Sequence, residues 1–316
     1  MSELDQAVAT VVRECMGVRP GEDVLVVCNP ATQELAERLR AEARAAGADA
    51  MLLLTEEREQ HGQEPPAAVA AAMARADVVL IPTVKSLSHT AARRDACAAG
   101  ARIATFPGVT ADMLARVMSA DMDELRRRGA EVARRLTEAD EARITCANGS
   151  DLRLSLRGRT AIPDAGDLQE RGAFGNLPCG EGFVAPLHTE GEGTLVVDGT
   201  IGGIGIPAKP CELRVEGGRL VAASGPEGER LLEALRAAGE DGTCVAELGI
   251  GTNEKAQLTG NLLEDEKILG TCHVAFGASA GIGGEVQVPV HLDCVVMKPT
   301  VELDGEPLVR DGELLI

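Results

Sequence analysis

Residues 1–140 alternate between two textures at a regular spacing, and that alternation leaves few folds open. Apolar runs rich in Val, Leu and Ile occur at Asp23 to Val27, Ala50 to Leu54, Ala76 to Ile81 and Ala101 to Thr105. Between them lie Ala-, Leu-, Arg- and Glu-rich stretches of helical period, at Gln33 to Ala46, Pro66 to Arg75 and Ala91 to Ala99. Strand and helix taking turns in this way predict a parallel sheet with flanking helices. Met122 to Ala139, rich in Arg and Glu, predicts a longer helix leading out of this region. The turn after the first strand, Cys28-Asn29-Pro30-Ala31-Thr32, lacks the glycines that let a backbone approach a pyrophosphate, and no phosphate-binding loop of the G-x-x-x-x-G-K-[ST] kind occurs. The α/β part therefore reads as a scaffold.

From Ala142 the texture changes. Ile144 to Cys146 and Asp151 to Leu156 flank Asn148-Gly149, a strand–turn–strand signal in which Asn-Gly supplies positive φ. Short alternating runs broken by Gly and Pro follow, with one helical insert at Glu227 to Ala238. The expected organisation is an α/β domain over 1–140 and a mostly β (α+β) metal-binding catalytic domain over 141–316. The glycine-rich segments Gly202 to Gly205 and Gly281 to Gly284 sit in β-rich surroundings and open no helix, so they do not read as phosphate loops.

Composition removes several function classes. A net charge of −19 leaves no basic stripe for nucleic acid. No run of about 18 apolar residues is present, so no membrane span is expected, and no basic-then-apolar leader is seen. Nine cysteines without a C-x-x-C pair fit a reducing, cytoplasmic setting and no thiolate zinc cluster. With no Trp, no Tyr and four Phe, the cores must be built from Ala, Val, Leu and Ile, and no phenol is on hand for catalysis.

The unusual polar residues lie in the second half. Val286 to Met297 reads as a strand with Val288, Val290 and Leu292 on one face and His291 with Asp293 on the other. An imidazole and a carboxylate two residues apart are a natural grip for a divalent metal, or else a hydrogen-bonded pair at a sheet edge. In Gly270 to Gly277, alternation places Thr271, His273 and Ala275 together, giving His273 small neighbours; a histidine so placed is, taken singly, more often a core histidine. Glu247 interrupts an apolar strand, where an unpaired carboxylate is costly. Glu181 follows a Pro/Gly turn, where a glutamate is commonly solvated. Together they make a hard-to-borderline ligand set suited to Zn, Mn, Co or Fe(II) and unlike the all-oxygen shell of Ca. His188 reads as a solvated loop histidine or a neighbour of the site. His61 and His89 carry no pattern, and Glu264 to Lys267 reads as a solvated charge run.

Four stretches carry a resemblance: Asn176 to Pro186 (NLPCGEGFVAP), Ala246 to Asn253 (AELGIGTN), Asp265 to Gly277 (DEKILGTCHVAFG) and His291 to Asp293 (HLD). In order, they are similar to the motifs of the metallo-aminopeptidases of the aminopeptidase T and aminopeptidase S type. The resemblance runs from Ile144 to the C-terminus, more loosely over the α/β part. It implies metal ligands at Glu181, Glu247, His273, His291 and Asp293, a two-metal site between subunits of a homodimer, and Glu181 or Glu247 as a bridging ligand or general base. It also gives the Glu264 to Lys267 run a place beside the site. The expected function is then a metal-dependent hydrolase of aminopeptidase type, acting with Zn, Co or Mn on small peptides or a related small amide. Two departures stand out: the peptidases are longer, and their motif continues to a tyrosine where this chain has Ala280. Shorter relatives of the same architecture include Fe(II) dihydroxypyridine dioxygenases, whose two-His, one-carboxylate arrangement would fall on His273, His291 and Asp293. Ring-cleaving dioxygenation is the alternative expectation.

Overall fold

The structure, a computed structural model, describes residues 2–316. Its contacts divide the chain into two units. One runs to Met122 and takes back Gly166–Cys179; the other comprises Asp123–Ala165 and Gly180–Ile316. The helix that the sequence places at the junction, Met122–Glu138, thus falls almost wholly in the second unit.

In the first unit a five-stranded parallel sheet has the order Asp49–Leu54, Asp23–Cys28, Val78–Ile81, Arg102–Thr105, Phe174–Asn176. The two strands Val78–Ile81 and Arg102–Thr105 are buried at every position, as expected when helices cover both faces of a parallel sheet. Helix Gln33–Ala45 buries Leu35, Ala36, Leu39 and Ala43, a stripe at helical spacing. Where a nucleotide-binding fold would present a glycine loop, Asn29 ties strand ends together. Its Oδ1 accepts from Val84 N at 3.0 Å, and its Nδ2 donates to the Thr55 carbonyl at 3.0 Å. An N-terminal helix, Glu3–Ala9, continues as a π-turn over Thr10–Cys15 and buries Val8, Val11, Val12 and Cys15; it is absent from the sequence expectation.

A buried ion pair crosses this unit. Arg102, 4% exposed, donates to Glu22 Oε1 at 3.0 Å and Oε2 at 2.7 Å. Burial pushes the Glu22 carboxyl up, but Arg102 and the Arg19 N–H pull it further down, to a net position below its ordinary 4.5. A carboxyl lowered on folding stabilises above its unfolded-state value and loses that contribution as pH falls. Glu22→Gln should therefore cost about 1–3 kcal/mol at neutral pH, because Arg102 is left without its partner. In urea melts repeated toward acid, the gap between wild type and variant should begin to narrow as pH falls below 4.5 and go on narrowing with further acidification; a gap that does not shrink toward acid would contradict the assignment.

The second unit holds an eight-stranded and a five-stranded antiparallel sheet. Leu152, Leu154, Leu195 and Leu213 of the larger sheet share one core with Leu248, Ile250, Val274 and Phe276 of the smaller one. Aliphatic side chains supply nearly all of it, as the scarcity of aromatics requires. The Asn148-Gly149 turn departs from the expected form. Only Gly149 has positive φ, and the strands Glu141–Thr145 and Asp151–Ser155 are joined by five residues, closed by Gly149 N donating to the Cys146 carbonyl. The helical insert spans Gly225–Ala237. Among the described residues no helix is long and apolar enough to cross a membrane.

Candidate metal centre

The smaller sheet of the second unit has the order His291–Val296, Cys272–Gly277, Val245–Gly251, Glu181–Val184, Ile162–Asp164, every pair antiparallel. Side chains alternate along a strand, and here the two faces have opposite duties. One face sends Leu248, Ile250, Cys272, Val274, Phe276 and Cys294 into the core. The other carries the expected ligands, interspersed with very small residues on the two central strands. Along one strand these are Glu247, Gly249 and Gly251; along the next, His273, Ala275 and Gly277; then His291 and Asp293. The register sets Gly249 opposite His273 and Ala275 opposite both Glu247 and Asp293. A bulge between Val245 and Glu247 turns Glu247 to this face while Val245 stays in the core.

The glycines make the room that the imidazole needs. A Cβ on Gly249 would lie 2.0 Å from His273 Nε2, and one on Gly251 would lie 2.0 Å from the Ile268 carbonyl oxygen. Gly202 N donates to the Asp293 carbonyl at 2.8 Å, bringing a second glycine segment against the site.

All five residues expected as ligands meet on this face. His273 Nε2 lies 3.1 Å from Glu247 Oε1 and 3.2 Å from Glu181 Oε2; His291 Nε2 lies 3.3 Å from Glu247 Oε2 and 3.4 Å from Asp293 Oδ1. They form two overlapping trios joined by Glu247, each with ligand atoms within 4.8 Å of one another. His291 Nδ1 faces the Ala278 carbonyl at 2.7 Å, which leaves Nε2 to point at the carboxylates, the arrangement that orients a ligating imidazole.

Electrostatically, the carboxylates and imidazoles of the cluster hold one another charged. Burial pushes the Glu181 carboxyl up, but Lys267 and His273 outweigh it and hold it low. Burial likewise raises Glu247, and bonding to His273 and His291 brings it below its usual range. Asp293 is lowered against its burial by His291. Desolvation lowers both imidazoles, yet the facing carboxylates carry each well above its ordinary value. Such a balance between buried carboxylates and imidazoles is what a divalent ion would take over.

The residues present fit such an ion. Glu181 Oε2 is buried and receives no hydrogen bond despite its closeness to His273, so a lone-pair donor is left over at the centre. Two imidazoles beside carboxylates suit a borderline metal.

Three sequence expectations differ from the structure. The strand expected over Val286 to Met297 begins only at His291. Val286 instead closes a loop, receiving hydrogen bonds on its carbonyl from Ser279 N and Ala280 N and donating to Ser279 Oγ. The run Glu264 to Lys267 is buried throughout, not solvated. Asp265 accepts from Thr200 Oγ1, Thr259 N, Thr259 Oγ1 and Gly260 N, and Glu264 accepts from Gln257 N. Lys267 Nζ donates to Glu181 Oε1 at 2.5 Å and to Glu266 Oε1 at 2.6 Å, with Asp164 Oδ2 at 3.8 Å. Glu181 itself opens the strand Glu181–Val184 and is 5% exposed, not a solvated loop residue. His188 and His61 join neither trio; His61 Nδ1 accepts from Ser86 N.

The sequence profile of the NicX family, 2,5-dihydroxypyridine 5,6-dioxygenase, matches residues 3–316. The chain belongs to that family. A 2,5-dihydroxypyridine 5,6-dioxygenase of Pseudomonas putida is 26% identical over 220 residues, which cover 65% of this chain and 62% of that relative. The match thus spans less than two thirds of the relative's length. The solved structure of 2,5-dihydroxypyridine dioxygenase from Pseudomonas putida KT2440 superposes with a TM-score of 0.85 at 21% identity, covering 100% of this chain and 98% of that one. Wild-type AmpT from Thermus thermophilus superposes with a TM-score of 0.74 at 18% identity, covering 99% of each chain. At such identities these two likenesses concern the fold.

Membership of the NicX family overturns the hydrolase expectation. The aminopeptidase, metalloprotease and protease readings are corrected to a dioxygenase family. The physical reason lies in what the four motifs encode. They specify the bulged strand, the glycine spaces and the ligand face of a fold shared with AmpT, and none of these selects between hydrolysis and oxygenation. Ala280 sits in the short helical turn Ala280–Ile282.

Proposed function

We propose that this NicX-family chain is an Fe(II)-dependent dioxygenase that opens the ring of a dihydroxylated pyridine, with 2,5-dihydroxypyridine as its substrate. The observation that carries the reading is the convergence of His273, His291 and Asp293 with two further buried carboxylates on one face of the smaller sheet, in a chain whose family profile runs from residue 3 to residue 316. Two imidazoles and one carboxylate with positions left open are the donor set of non-haem iron oxygenases. Bound there, Fe(II) supplies the one-electron chemistry that lets triplet dioxygen react with a closed-shell ring.

The chain's own part is to hold and orient. His273, His291 and Asp293 would hold the iron; each imidazole turns Nε2 toward the shared neighbour Glu247, and Asp293 turns a carboxylate oxygen toward His291. The Ala278 carbonyl fixes the His291 ring, and the absence of a side chain at Gly249 fixes the space of the His273 ring. Glu247 spans both imidazoles with one oxygen each, and Glu181 presents Oε2 beside His273. These two ionised carboxylates are the acceptors on hand for the proton that a ring hydroxyl gives up on binding.

A dioxygenase places both atoms of one oxygen molecule in its product. The iron-loaded chain, supplied with 2,5-dihydroxypyridine under labelled dioxygen, should therefore give a ring-opened product carrying two heavy oxygen atoms. A product carrying none, or one labelled from water alone, would rule the reading out.

A further inference from the structure

Behind Glu181, on the side away from His273, lies a second group of charges that the proposed chemistry does not use. Lys267 is fully buried. Its backbone is fixed by two hydrogen bonds, Asn253 N to the Lys267 carbonyl and Lys267 N to the Glu264 carbonyl. Gly251 makes this approach possible, since a Cβ there would lie 2.0 Å from the Ile268 carbonyl oxygen and 2.8 Å from the Lys267 carbonyl carbon. From that anchor the side chain reaches carboxylates on three separate segments: Glu181, Glu266, and Asp164, the register partner of Glu181 on the edge strand. An ammonium has three N–H donors, and here three acids surround it.

We propose that Lys267 is a positioning residue for the metal centre. Its ammonium takes up Glu181 Oε1, so that Glu181 can turn only Oε2 toward the imidazoles, and its fixed charge offsets the acids buried behind the site. Two observations separate this from an ordinary buried ion pair. The Glu181 carboxylate is divided between two duties, with Oε1 bonded to Nζ at 2.5 Å and Oε2 left without a hydrogen bond 3.2 Å from His273 Nε2. A lysine at full burial is also expensive unless its charge is used, and two of its three acidic neighbours, Asp164 and Glu181, lie about a hundred and 86 residues before it, on paired strands. The inference rests on the metal-centre reading and goes beyond it by giving Lys267 control over the orientation of Glu181.

The test is a double-mutant cycle on the intact chain, read as Co(II) affinity by competition with a chromophoric chelator. Lys267→Met should weaken Co(II) binding by at least about tenfold, the scale on which partners of metal ligands act. In a Glu181→Gln background the same change should cost less than about twofold more, because the group it acts through has been altered. Should Lys267→Met fail to fold, Lys267→Met/Glu266→Gln, which removes one stranded acid, carries the measurement and should show the same loss. Wild-type affinity in either Lys267 variant, or losses that multiply in the double mutant, would overturn the proposal. A purely structural lysine would lower thermal stability and leave Co(II) affinity alone. Because Co(II) binding is measured without substrate or oxygen, failure of the dioxygenase reading leaves this result standing. Wild-type chain that binds no Co(II) would overturn the proposal for Lys267.

Discussion

Replacing Gly249 with alanine should cost at least about a hundredfold in both iron retention and oxygen uptake. The change adds a single methyl group. Gly249 sits directly across the ladder from His273, and the new methyl would lie 2.0 Å from Nε2, inside the imidazole itself. Neither partner can yield cheaply: the strand Val245–Gly251 is buried along its whole length, and His273 is fully buried. The ring has to leave its place, and displacement of a reactive or ligating group by about 1 Å is worth about 10²-fold. Gly281→Ala is the control, because a Cβ there meets nothing within 4 Å; it should leave iron content and turnover unchanged. Equal iron content in Gly249→Ala and wild type would contradict the placement of His273 as a ligand.

His291→Ala should abolish measurable turnover, by about a thousandfold or more, and lower iron stoichiometry in the purified protein. Removing a ligand withdraws several kcal/mol of stabilisation from the metal-bound state, and each 1.36 kcal/mol is tenfold in rate. The effect should exceed the loss from His188→Ala, since His188 belongs to neither ligand trio. The comparison is informative because both residues are histidines of the same unit, one in a candidate ligand trio and one in neither. Turnover of His291→Ala within tenfold of wild type, at full iron occupancy, would remove His291 from the ligand set.

Much of the site was legible because strands write their faces with period two. His273 and Ala275 share one face while Cys272 and Val274 share the other, and the structure uses them in that way. Glu247 could be marked because a carboxylate in an all-apolar strand needs a use. The parallel sheet of the first unit was legible from its alternating runs, apart from its fifth strand. Phe174–Asn176 is three residues long and joins from a segment that returns to the first unit, so no local signal announces it. The run Glu264 to Lys267 was misread for a related reason. Its burial depends on partners far along the chain, Glu181 being 86 residues from Lys267 and Thr200 65 residues from Asp265. Composition alone makes four consecutive charges look solvated. Val286 to Val290 misled in the opposite direction: their alternation imitates a strand, but Ser279 pins the segment as a loop.

The reaction was the least legible property. The motifs shared with the aminopeptidases describe a metal scaffold, and a scaffold can serve either chemistry. What the chain lacks was the better indicator, for with no tyrosine anywhere and Ala280 at the expected position, the peptidase motif is incomplete.

The most direct test of the account is stoichiometric oxygen uptake by the chain reconstituted with Fe(II), with 2,5-dihydroxypyridine as substrate and bound iron determined on the same sample. The expected result is one dioxygen consumed for each pyridine lost, with uptake abolished by an iron chelator and restored by Fe(II). Iron bound at the site, with the pyridine left intact and no oxygen consumed, would contradict it.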